Sequence, residues 1–220
     1  MLKLSVAVAG ENALPSAFVV WRGFEQSIRK AADAGYDGVE LALKHPGEID
    51  CAQLSNWLES TGLDISCIST GQVFAGLGLM FTEKETGRRE QVKSIFKEFI
   101  DMAADFSGMV NIGRVRGCLG DDPDGARRRF IDMARELCEY ASPKNVTMIL
   151  EPVNRYEIDF VNSVEEGNEL MNDVDRPNMR LMPDLFHMNI EDVTIGGELE
   201  KYSDRIAYIH CADSNRRAPG

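Results

Sequence analysis

Seven short apolar runs, at residues 3–9, 37–43, 63–69, 109–113, 146–151, 179–183 and 205–211, alternate with longer stretches whose apolar residues recur at helical spacing. This alternation constrains the fold more than any other feature. Neighbouring strands joined through a helix pair in parallel, because a parallel pair needs a crossover of about a dozen residues or more. Repeated β-α units around a parallel sheet are therefore expected. The helix boundaries fit: GFEQSIRKAADAG stops at Gly35, CAQLSNWLESTG stops at Gly62, and RREQVKSIFKEFIDMAADF is the longest amphipathic stretch. DPDGARRRFIDMARELCEYA opens on an acidic turn that suits the helix dipole, and in SVEEGNELMNDV Ser163 is the expected N-cap with Glu166 completing a capping box.

A closed barrel of such units needs eight strands, and beyond His210 the sequence reads CADSNRRAPG, a polar loop. The expectation is a (β/α)8-type barrel lacking its eighth unit, with residues 1–220 as a single, C-terminally incomplete domain. Two open edges would remain, and a neighbouring copy of the chain is one way to cover them. With 44% apolar and 27% charged residues the 220-residue chain has an ordinary globular composition. Its formal charge of −12 opposes nucleic acid and anionic membranes as partners and favours a small-molecule substrate. The five cysteines show no CxxC pair and read as free core thiols in a reducing cytosol. The run LKLSVAVAG is too short for a secretory segment and no later stretch approaches a membrane span, which points to a cytoplasmic protein.

The last three runs each end on a residue with metal-binding chemistry: Glu151 after VTMIL, Asp184 after MRLMP and His210 after RIAYI. Parallel strands would deliver all three to one rim, where barrel enzymes keep their sites. Pro152 cannot extend a ladder and leaves the Glu151 carboxylate at that rim. Asp184 and His187 lie three residues apart in PDLFHMN, on one side of a short helical turn. Arg216 and Arg217 follow in a loop on the same rim, where a guanidinium can hold a hydroxyl, carboxylate or phosphate. Two carboxylates and an imidazole suit a divalent ion, Mn2+ foremost with Co2+, Mg2+ or Zn2+ as alternatives, and leave positions open for a substrate. A structural ion pair or a helix cap is the competing role for each of these groups. His187, between Phe186 and Met188, has the further alternative of a hydrogen-bonded core histidine.

Taken with DGVEL at 37–41, LEPVNRYE at 150–157, MPDLFHMNI at 182–190 and IHCADSNRRAPG at 209–220, the chain resembles the xylose isomerase-like barrel enzymes, the sugar isomerases and epimerases. Within them it is most similar to ketose 3-epimerases of the tagatose/psicose type and to hydroxypyruvate isomerases. The resemblance implies that Glu151, Asp184 and His210 ligate the metal, that Glu151 is also the proton-transferring base, and that Glu157, His187 and Arg216 bind substrate hydroxyls and carbonyl. It further implies a metal-dependent isomerase or epimerase of a small sugar or hydroxy-ketone, working by proton abstraction to a metal-bound enediolate. The family carries a second glutamate on an eighth strand, as fourth ligand and opposing base, and this sequence has none. The alternative is therefore a degenerate, non-catalytic barrel that retains partial metal or sugar binding. The repair-endonuclease branch of the same superfamily is disfavoured, since three histidines are too few for its zinc cluster and the acidic charge opposes DNA.

Other features carry bland expectations. Glu40 ends its run and is read as pairing with a basic side chain inside the barrel mouth. His45 is a loop residue and Cys211, opposite His210, is packing. GQVFAGLGLMF at 71–81 is glycine-rich without phosphate-loop spacing and reads as an apolar lid, with Phe74 and Phe81 excluding water.

Overall fold

The computed structural model describes residues 2–14, 21–106 and 108–217. Ala218–Gly220, the end of the last motif named above, lie outside the described residues. Strands β1 (Ser5–Ala9), β2 (Trp21–Arg22), β3 (Gly38–Ala42), β4 (Asp64–Ser69), β5 (Met109–Ile112), β6 (Thr147–Leu150) and β7 (Met179–Leu181) form one parallel sheet in the order β2-β1-β3-β4-β5-β6-β7. Six of the seven expected strands are present, each within a residue or two of its apolar run. The run at 205–211 differs. It joins the far side of β7 through isolated parallel bridges at Leu181–Ile206 and Asp184–His210 rather than as a strand. On the opposite edge, the two-residue β2 was not anticipated; it pairs Val8 with Trp21 and Ala9 with Arg22. A two-residue strand carries no readable alternation, which is why the sequence gives no sign of it.

Between the strands lie α1 (Phe24–Asp33), α2 (Cys51–Thr61), α3 (Thr86–Phe106), α4 (Pro123–Ala141) and α5 (Val164–Val174), followed by two short helices, α6 (Leu185–Glu191) and α7 (Ile195–Lys201). Gly62 closes α2 in the left-handed region at φ 72°, as its position predicts. Ser163 caps α5 by accepting from the Glu166 N–H, but the reciprocal half of the expected box is displaced: the Glu166 carboxylate accepts from Asn162 N instead. None of these described helices is long and apolar enough to cross a membrane.

The sheet divides the apolar residues into two sets. The outward faces (Val6, Val8, Val39, Leu41, Val110, Ile112, Met148, Leu150) pack with the helices into one large cluster, while the barrel interior holds a small one of Cys67, Ile149 and Met182, with Met109 and Tyr208 against it. Phe81 belongs to the large cluster. It is fully buried, edge-on to Phe96 at 4.7 Å, so it is core and not part of a lid. Cys211 is exposed rather than packed, as is Ile209 two residues before it. Cys67 and Cys138 are the two buried thiols.

Candidate metal centre

Three side chains reach one end of the barrel for the same geometrical reason. Ile149 points into the interior, so Glu151, two residues on, does too; Met182 and Asp184 repeat the relation after β7, and Tyr208 and His210 repeat it in the last segment. The result is a compact group. His210 Nδ1 lies 3.3 Å from Glu151 Oε1 and 4.0 Å from Asp184 Oδ2. His187 Nε2 lies 3.7 Å from the same Asp184 oxygen. Among the described residues, Glu151, Asp184 and His187 offer ligand atoms within 4.8 Å of one another, a set able to hold a metal ion. Asp184 divides its oxygens: Oδ1 caps α6 by accepting from Phe186 N at 2.8 Å, while Oδ2 faces the imidazoles.

The electrostatics of this group are unbalanced. Burial alone would raise the Glu151 carboxyl, but the hydrogen bond and charge of His210, with His187 and the Asn111 amide, overcome it and hold the group down at about 2. Asp184 is pushed the other way, by burial and then by the neighbouring Glu151 charge. Burial lowers His187. His210, which burial would also lower, is instead raised well above its usual value by the Glu40 charge and its hydrogen bonds to Glu151 and Glu40. Two acids so close that the charge of Glu151 penalises ionisation of Asp184 form a site that a divalent cation would relieve. There is also room beside Glu151: a Cβ on Gly113 would stand 2.7 Å from Glu151 Oε2, so glycine keeps that flank open.

A second group adjoins the first. Asn154 Nδ2 donates to Glu157 Oε1 at 3.1 Å and approaches His187 Nδ1 at 2.7 Å, while its Oδ1 accepts from Tyr156 N, which fixes the amide's orientation. An amide N–H can only donate, so His187 Nδ1 accepts and Nε2 is its protonated nitrogen in the neutral ring. Arg216 pairs with Glu157, lies 3.5 Å from His187 Nε2 and sits over the Phe186 ring at 4.6 Å. Arg114 reaches Glu157 from the other side at 3.6 Å. All six residues singled out in the sequence thus meet in one place, whereas Arg217 remains exposed.

Sequence reasoning missed two polar residues of the same region. Asn111, buried in β5, donates to Glu151 Oε2 at 3.2 Å, and Asn154 links the two groups. Glu40 pairs with a basic side chain inside the barrel mouth, as expected, reaching His210 Nε2 at 2.9 Å. A polar residue inside an apolar run, as in MVNI, is the signal that would have found Asn111. Arg116 works one layer further out. Fully buried, with its guanidinium lowered to about 10 by desolvation, it donates to the carbonyls of Gly113, Glu151, Phe160 and Val161. It thereby ties the loops after β5 and β6 together and holds Val161 at φ 61°, a conformation that is strained for a β-branched residue.

Comparison with known proteins agrees with this architecture. The model of the xylose isomerase-like TIM barrel matches residues 28–220. The chain is 31% identical over 202 residues to the L-ribulose 3-epimerase of Methylomonas sp. (strain DH-1), covering 88% of this chain and 68% of that one. It is 27% identical over 207 residues to the D-psicose 3-epimerase of Agrobacterium fabrum, covering 90% and 70%. The crystal structure of a D-allulose 3-epimerase from Methylomonas sp. superposes with a TM-score of 0.77 at 26% identity, over 98% of this chain and 75% of that one.

Proposed function

Because the chain belongs to the xylose isomerase-like TIM barrel family, we propose that it is a divalent-metal-dependent isomerase or epimerase that moves a proton on the carbon beside the carbonyl of a small ketose or hydroxy-ketone. The observation that carries this reading is Glu151: a half-buried carboxylate kept ionised at the barrel rim, 3.3 Å from one imidazole and grouped with Asp184 and a second imidazole. Residues 1–220 are read as one domain serving this centre.

Glu151, Asp184 and His210 are the proposed ligands, with Mn2+ the preferred ion. His210 is chosen over His187 because its Nε2 is taken by the Glu40 carboxylate while its Nδ1 faces both Glu151 and Asp184, where a bound ion would take the place of the Nδ1 proton. His187 has the opposite arrangement, with Nδ1 occupied by Asn154. A bound divalent ion supplies Lewis acidity, polarising a carbonyl and its neighbouring hydroxyl and so acidifying the C–H between them.

The chain's own residues do the rest. Glu151, a weak base held ionised across the physiological range, takes the proton from the activated carbon. His187 offers Nε2–H, and Arg216 and Glu157 offer a donor and an acceptor, to the substrate carbonyl and hydroxyls. Phe186 under the Arg216 guanidinium restricts its rotation. The names of the relatives favour C3 epimerisation of a ketose, in which the proton comes back to the opposite face of C3 from an acid other than Glu151; removal of a C1 proton and its return to C2 would instead give an aldose.

Proton NMR in D2O tests the reading. Mn2+-loaded, repurified protein is offered a ketose panel and hydroxypyruvate, and deuterium uptake is followed at each carbon beside the carbonyl. For a ketose, uptake at C3 identifies an epimerase and at C1 an isomerase; for hydroxypyruvate, uptake at the hydroxymethyl carbon identifies an isomerase. Glu151→Gln should lower the rate by about 10^2–10^4-fold, the span of a general base. Full activity in that variant would overturn the role of Glu151, and no exchange on any substrate by the metal-loaded protein would favour a non-catalytic barrel.

A further inference from the structure

Glu40 lies within β3, a strand in which every residue is buried, and only 3% of its surface is exposed. A buried carboxylate is costly to the fold unless it is paired. Its partner lies 170 residues away in sequence and on the opposite side of the sheet: Glu40 Oε2 is 2.9 Å from His210 Nε2. The contact crosses the barrel interior. In this contact the imidazole Nε2–H is the donor and the carboxylate oxygen the acceptor, and the other ring nitrogen is the one directed at Glu151 and Asp184, at 3.3 and 4.0 Å.

The backbone around His210 makes this contact matter more. The 205–211 segment has no strand ladder, only the bridges at Ile206 and His210. A side chain there takes its orientation from its partners. Below it, Tyr208 is edge-on to the His210 ring at 5.8 Å and its hydroxyl meets Ser5 Oγ and Ser66 Oγ at 2.7 and 2.9 Å, anchoring the segment to β1 and β4. Above it, Glu40 Oε2 holds the ring by Nε2 at 2.9 Å, the shortest of its carboxylate contacts.

We propose that Glu40 is a positioning residue for the metal centre: it presents His210 Nδ1 to the ion from across the barrel without itself being a ligand. This rests on the metal-centre reading above. Carboxylates that hold a ligating histidine by its second nitrogen typically contribute about 10–100-fold to metal affinity.

The test compares Mn2+ dissociation constants, by competition with a fluorescent chelator, for the unaltered chain, Glu40→Gln and Glu40→Met, together with thermal unfolding of each metal-free protein. Affinity should fall in that order, by about 10–100-fold at Glu40→Met, where the acceptor is gone and the side-chain length is kept. Glu40→Gln, which can still accept from Nε2–H, should recover part of the loss. Unchanged affinity in both variants overturns the proposal and leaves the metal centre standing, as does lower thermal stability with unchanged affinity. Failure of the unaltered chain to bind Mn2+ overturns both. Should a variant not fold, long-range 1H–15N spectra of the unaltered Zn2+-loaded protein decide: with three histidines in the chain, His210 is assignable, and it should show a proton on Nε2 and none on Nδ1. Metal on Nε2 would refute the proposal.

Discussion

At the scale of single residues, the centre depends as much on what is small as on what is charged. Gly113 has φ −89° and ψ −127°, outside the ordinary α and β regions. Its surroundings call for glycine as well, through the approach of Glu151 Oε2, with Asn111 Oδ1 3.1 Å from the same Cβ position. Gly113→Ala should therefore displace the carboxylate by a few tenths of an ångström or more while leaving the fold intact. We expect deuterium exchange to fall by roughly 10–100-fold, the scale of a misplaced catalytic group, with an unchanged circular dichroism spectrum. Undiminished exchange would show that Glu151 Oε2 is not held where the reaction needs it. Gly113 lies one residue past the 109–112 strand and looks like an ordinary loop glycine in the sequence. Its reason becomes visible only when β5 and β6 are side by side.

At the scale of elements, α5 and α6 are joined through one acid. Asp192, the C-terminal cap residue of α6, accepts from Val164 N at the start of α5 through Oδ1, while its Oδ2 is buried without a partner. Burial, with Glu198, Glu191 and Glu166 nearby, pushes its carboxyl up to about 6 despite the Val164 hydrogen bond. The folded state then binds a proton more tightly than the unfolded chain, whose aspartates titrate near 4. Stability therefore falls as pH rises from about 4 to about 6, and above that the whole penalty is present. Asp192→Asn retains an acceptor for Val164 N and removes the charge. It should be more stable than the parent at pH 8, by about 1–2 kcal/mol after allowance for residual solvent, with the difference vanishing below pH 4. Denaturant melts at the two pH values check it, and a pH-independent difference would contradict it.

At the scale of the whole molecule, the proposed ligands come from the ends of β6, of β7 and of a segment that has no ladder of its own. A metal there would clamp the least regular edge of the sheet to its neighbours. Binding to the folded state alone stabilises by RT ln(1 + [L]/Kd), about 2.7 kcal/mol at a hundredfold excess over Kd. For a chain of this size that is roughly 5–10 °C in Tm. Mn2+ should raise Tm by that amount, EDTA should reverse it, and Glu151→Gln should abolish most of it. An equal Tm with and without Mn2+ would count against the centre.

Much of this was legible in the amino-acid sequence. Period-2 and helical patterns located six strands and the long helices, because each depends on neighbours within one element. Strand-end positions picked out Glu151, Asp184 and His210, since parallel strands must send their C-terminal residues to one rim; the segments that follow those ends brought in His187 and Arg216, and the resemblance added Glu157. Local patterns were therefore enough for periodicity and for which end of the barrel carries polar chemistry. Tertiary structure decided the contacts between distant elements: Glu40 with His210, Asn111 with Glu151, Asn154 between His187 and Glu157, Arg116 on four carbonyls, and Phe81 in the core rather than over the site. Those pairings are set by sheet order, strand register and the packing of side chains from opposite walls, and no local pattern encodes which of many polar residues will meet across an interior only a few ångströms wide.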